Sequence, residues 1–165
     1  MIILGIDPGT ARMGWGVLDV KEKKIQSDGL KLVKYGCFET KVGVEMGKRL
    51  LHLRYELIKV IKEYKPDHMA IEQLFFGVNS RTAMTVGQAR GVVMVTAEEY
   101  NLPLFEYQGL SVKKILTGFG HTDKKKMQEY VQKRLNLKEL PKPDDAADAI
   151  AIAICHTIKL YGQEA

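Results

Sequence analysis

Cysteine is scarce: Cys37 and Cys155 are the only two in 165 residues. They stand far apart, with no second Cys or His at zinc-ligand spacing, which argues against a disulfide framework or a zinc site. No apolar run approaches the roughly 20 residues that a membrane helix needs, so no membrane partner is expected. The first residues, Met1-Ile-Ile-Leu-Gly-Ile-Asp7, lack the basic stretch of a secretory signal and meet an acid and a proline early; a cytoplasmic location is expected. Internal repeats, low-complexity tracts and linkers are absent too. With this length, residues 1–165 are expected to form a single domain.

What is present is the material of a packed core. The chain is 45% hydrophobic and 27% charged, which excludes whole-chain disorder. Its net charge of +5 is unevenly spread. Between Lys113 and Lys142 there are nine Lys or Arg against Asp123, Glu129 and Glu139, an excess larger than that of the whole chain. Such a run is either a solvated helix face or a surface for a polyanion.

Hydrophobic periodicity orders the chain. Residues 2–7 read as a strand buried on both faces, 13–20 as a glycine-bearing partner in a hairpin, and 30–40 as a third strand. A helix is predicted over 45–64, stopped by Pro66, followed by a buried strand from His68 to Phe76. A helix over 80–100, a strand over 104–107, and helices near 109–116, 124–135 and 144–160 complete the order. Three strands followed by alternating helices and strands imply an α/β mixed five-stranded sheet with helices on both faces.

The acids stand in apolar company. Asp7 ends the first strand, Glu72 lies inside Met69-Ala-Ile-Glu-Gln-Leu-Phe-Phe76, and Asp145 and Asp148 open a helix that continues Ala149-Ile-Ala-Ile-Ala-Ile-Cys155. A carboxylate in such surroundings is costly unless paired, hydrogen-bonded or bound to a cation. Singly, each has a plain structural role open to it. Asp7 before Pro-Gly suits an Asx-turn, Glu72 an ion pair with Arg12 or Arg90, and Asp144 or Asp145 a helix cap, Asp144 being preferred. Asp148 lies past any cap. If the strands and helix bring the four together, hard oxygen ligands select Mg²⁺ or Mn²⁺.

Gly5-Ile-Asp-Pro-Gly-Thr-Ala-Arg-Met-Gly-Trp-Gly-Val17, Ile71-Glu-Gln-Leu-Phe75, Gly87-Gln-Ala-Arg-Gly91 and Asp145-Ala-Ala-Asp-Ala-Ile-Ala-Ile-Ala153 resemble, in order and spacing, the signatures of the RuvC family of Holliday-junction resolvases. The resemblance implies a ribonuclease-H-like fold, a two-fold homodimer, and cleavage of four-way junction DNA to 5′-phosphate and 3′-hydroxyl ends. It implies Mg²⁺, replaceable by Mn²⁺, with two ions per site held by Asp7, Glu72, Asp145 and Asp148 as the catalytic acids. Phe75, or its neighbour Phe76, matches an aromatic that stacks on a base. Lys113 and Lys124 match basic residues near the DNA backbone, and Lys114, Lys125 and Lys126 extend that surface. Coupling to the RuvA–RuvB branch-migration complex is implied in the same way. The helix around Gly87–Gly91 is expected to form part of the dimer interface.

Three other readings compete. A ribonuclease-H-like RNA-processing nuclease shares the shorter Asp-x-Gly-x-x-Arg-x-Gly pattern of Asp7 to Gly14. A junction-binding module without catalysis would need only the basic run. An actin-like ATPase opens similarly but needs two domains. His121, beside the basic run, is a residue of either a solvent loop or the site, and His52, His68 and His156 read as ordinary element residues.

Overall fold

The computed structural model describes residues 1–21, 29–73, 80–120 and 123–162, with side chains in the second helix from residue 83 onward. Five strands, β1 (Ile2–Asp7), β2 (Arg12–Val20), β3 (Leu30–Glu39), β4 (His68–Gln73) and β5 (Leu104–Gln108), form one sheet in the order β3-β2-β1-β4-β5. The β1–β2 and β2–β3 pairs are antiparallel, and β4 joins β1 and β5 in parallel. The helices are α1 (Met46–Tyr64), α2 (Ser80–Glu99), α3 (Gly109–Thr117), α4 (Lys124–Arg134) and α5 (Asp144–Tyr161). The mixed sheet and all five helices agree with the sequence expectation. The expected continuation of β4 to Phe76 lies outside the described residues.

Strand alternation sorts the side chains into two cores. Leu4 and Ile6 of β1, with Met69 and Ile71 of β4, pack with Leu53 and Leu57 of α1 and Ala89 and Val93 of α2. Ile3, Ala70 and Leu18 face the other way, against α3, α4 and α5. Parity therefore sends Asp7 and Glu72 to the α5 face. The pairing of Ile6 with Ile71 places the two acids at the same end of adjacent strands.

Helix α5 is buried along most of its length, from Ala146 to Thr157 with Asp148 only partly covered. It can approach the sheet closely because the sheet has glycines beneath it. Gly5 pairs with Gly16 and Asp7 with Gly14, so three glycines cluster on the α5 face. A Cβ on Gly14 would lie 1.9 Å from the Asp145 carbonyl oxygen, and one on Gly5 would lie 2.1 Å from that of Ala149. On Gly16 it would meet the Ile150 side chain at 2.6 Å. Only hydrogen fits at these positions, and the seat fixes where the N-terminus of α5 arrives.

One expectation is corrected at that terminus. Asp144 is not the cap: Pro143 holds the N-cap position without a side-chain bond, and Asp144 is the first helical residue. Its carboxylate instead accepts a bond from Lys124 Nζ at 2.5 Å, which ties α4 to α5. The bond from Lys124 is the main reason the Asp144 carboxyl lies below its usual range, with backbone N–H groups of the first turn adding to it.

Candidate active site

Asp7 ends β1, Glu72 lies one residue before the end of β4, and Asp145 and Asp148 project from the first turns of α5. The glycine seat brings the helix terminus over the strand ends, so the four acids feel one another. Burial raises the Asp7 carboxyl well above its usual range, followed by the charges of Glu72, Asp148 and Asp145. Glu72 is raised by burial first and Asp148 second. Asp148 is pushed up to about 6, chiefly by burial, with Lys124 pulling against the shift.

Neutralisation within the protein is incomplete. Among the described residues, Asp145 alone of the four makes an ion pair, with Arg12 at 3.8 Å. Arg12 divides itself between Asp145 and Glu39, the latter at 3.5 Å. The ion pair of Glu72 with Arg12 or Arg90 is not what forms. Arg90 donates to the Glu72 backbone carbonyl at 2.7 Å and spends its charge on Glu106 at 2.8 Å. The Glu72 carboxylate lies instead against the start of α3, where a Cβ on Gly109 would come within 2.1 Å of its Oε1.

An all-carboxylate donor set in which Asp7, Glu72 and Asp148 have raised proton affinities fits a hard divalent cation, which relieves the same repulsion that a proton relieves. Among the described residues, no three His, Cys, Asp or Glu side chains close around a common point as they are placed. Asp7, Glu72, Asp145 and Asp148 remain the candidate ligands.

Two hollows adjoin the acids. One of about 400 Å³ opens beside Glu72, bounded by Pro8, Val86, Gln108, Leu110 and Lys113. A smaller one of about 110 Å³ runs between Glu72 and Asp148, with Lys113 and Lys124 on its wall. Of the predicted basic residues, Lys113 and Lys124 therefore reach the acids. Lys114, Lys125 and Lys126 are exposed and line neither hollow. Phe75, Phe76 and His121 lie outside the described residues. Sequence reading missed the contact of Gly109 with Glu72, for which a glycine opening a helix after a strand was the available signal. It also missed the pairing of His68 Nδ1 with His156 Nε2, 2.9 Å apart, and of His156 Nδ1 with the Tyr107 hydroxyl at 2.7 Å.

Residues 3–156 match the family model described as crossover junction endodeoxyribonuclease RuvC. A RuvC endodeoxyribonuclease of Roseiflexus sp. is 52% identical over 155 residues, covering 93% of this chain and 89% of the relative. The structure of T. thermophilus RuvC in complex with a Holliday junction substrate superposes with a TM-score of 0.89 at 32% identity, covering 98% of this chain and 96% of that one. The yeast mitochondrial Holliday junction resolvase Ydc2 shares the fold, with a TM-score of 0.64 at 14% identity over 98% of this chain and 80% of its own.

Proposed function

The chain belongs to the RuvC family of crossover junction endodeoxyribonucleases, and on that premise we propose that Asp7, Glu72, Asp145 and Asp148 are the metal-binding acids with which it cuts four-way DNA junctions. The protein is a Holliday-junction-resolving endonuclease of a metal-dependent nuclease family. The observation that supports the assignment of residues is that Asp7, raised by burial, also feels the charges of Glu72, Asp148 and Asp145 where the N-terminus of α5 meets the ends of β1 and β4.

The chemistry follows from those charges. Asp7, Glu72, Asp145 and Asp148 would hold divalent cations, Mg²⁺ with Mn²⁺ as a substitute and two per site, which would supply Lewis-acid activation of water and charge stabilisation at the leaving 3′-oxygen. Lys113 and Lys124, on the wall of the hollow beside Glu72 and Asp148, hold the phosphate chain by charge. The products carry 5′-phosphate and 3′-hydroxyl ends.

Resolution needs two matched nicks, which a two-fold homodimer supplies by presenting two copies of one site. Helix α2 is the proposed interface. Met84 is 71% and Val95 58% exposed, and Gly91, on the same helical stripe, has nothing within 4 Å of its added Cβ. Family membership supports the further proposals of a cytoplasmic location, coupling to the RuvA–RuvB complex, and base stacking by Phe75 or Phe76. Among the described residues, no helix is long and apolar enough to cross a membrane.

The test is cleavage of a synthetic four-way junction beside a linear duplex of the same sequence, with Mg²⁺. Paired nicks in opposing strands of the junction are expected, with the duplex intact. Cutting of structured RNA with the junction untouched would overturn the reading.

A further inference from the structure

A groove of about 810 Å³ opens between the end of α3 and α4, away from the acids. Its walls include Leu116, Phe119, Lys126, Glu129, Tyr130 and Lys133. Along α4, Lys126, Tyr130 and Lys133 recur four and three residues apart and share one face. Lys124 and Met127 turn instead to the catalytic hollow. One helix thus separates two concave surfaces, each carrying lysines.

Phe119 is 74% exposed, an unusual position for a phenyl ring on a structured turn. Its presentation is imposed by the backbone. Gly118 ends α3 in the left-handed region at φ 79°, where a residue with a side chain would be strained. The Thr117 hydroxyl then accepts from the Phe119 N–H at 3.3 Å and lies 3.0 Å from the Phe119 carbonyl oxygen. Tyr130 stands half-buried in the same groove. Lys126 makes an ion pair with Asp123 at 3.6 Å, but both partners are largely exposed, so the pair is easily exchanged for another anion.

We propose that this groove seats the DNA strand flanking the cut, with its phosphates against Lys126 and Lys133 and an unstacked base against the Phe119 ring. The inference rests on the junction-cutting reading. Seven residues of helix separate the two lysines by about 10 Å along its axis, far enough for them to face different phosphates of one strand. The width of α4, also about 10 Å, is the distance that a strand leaving the acids must cross to enter the groove. An exposed phenyl ring and a half-buried tyrosine beside lysines suit a nucleic-acid strand, whose bases stack and whose phosphates pair. Against Lys126 and Lys133 the lining sets Glu129, with Asp123 at the edge paired to Lys126 in an exposed and exchangeable ion pair.

The test is junction binding without divalent cation, followed by fluorescence anisotropy across a salt series. Phe119→Ala should bind about ten-fold more weakly with an unchanged salt slope. Replacing Lys126 and Lys133 together by Gln should lower that slope by about two. Thermal midpoints of both variants should match the parent, since all three side chains lie at the surface. Parental affinity and slope in both variants, beside a parent that binds and cuts junctions, would overturn the groove assignment and leave the catalytic one standing. A parent that neither binds nor cuts junctions would overturn both.

Discussion

Asp148 and His156 lie on the same helix and respond to pH with opposite sign. The Asp148 carboxyl, usually near 3.8, titrates at about 6 in the folded protein because burial disfavours its charge. Between those values the folded state keeps a proton that the unfolded chain has lost, so stability falls as pH rises through the window. Asp148→Asn should therefore unfold about 1–3 kcal/mol later than the parent at pH 7 in EDTA, measured by urea denaturation. Mg²⁺ should narrow that gap by stabilising the parent alone. His156 is pushed down to about 4 by burial and by His68. The unfolded chain takes up a proton below 6.5 that the folded ring refuses, so this contribution is lost as pH falls from 6.5 towards 4. With the acid's contribution removed in Asp148→Asn, stability should drop more steeply over that range than in the parent, and a shallower drop would contradict the assignment. Tyr107→Phe, which deletes the hydroxyl bonded to His156, should cost about 1 kcal/mol.

At the scale of elements, the site depends on how closely α5 lies on β1 and β2. Gly14→Ala would drive a methyl group into the backbone of Asp145, shifting the helix terminus that carries two of the acids. It should destabilise the fold by about 1–3 kcal/mol and abolish most cleavage, whereas Gly47→Ala, in open space on α1, should leave cleavage intact. Single-turnover nicking with both variants checks this. The order of elements was legible in the sequence because each strand and helix carries its own apolar period, and the acids stood out because they interrupt those periods. The glycines of β2 were open to a close approach or a bulge, and what approaches depends on pairing between distant segments. Asp144 shows the limit: its place after Pro143 suited a cap, and only the arrival of Lys124 from α4 gives it another partner. The seat of Glu72 against Gly109 is equally non-local, set by the register of β4 with β5.

For the whole molecule, the account joins an acid cluster at one end of a sheet to basic surfaces on α3 and α4 and an apolar stripe on α2. Val95→Asp should convert the proposed dimer to monomers in sedimentation, reduce paired nicking, and leave the melting of the monomer nearly unchanged, because the side chain is 58% exposed. Persistence of the dimer would move the interface elsewhere. The most direct test of the central claim is junction nicking by the four variants Asp7→Asn, Glu72→Gln, Asp145→Asn and Asp148→Asn with Mg²⁺, each checked for junction binding without metal. All four are predicted to bind the junction within a few-fold of the parent and to lose at least about 100-fold in nicking. Parental nicking by any one of them would remove that residue from the centre, and parental nicking by all four would contradict the account.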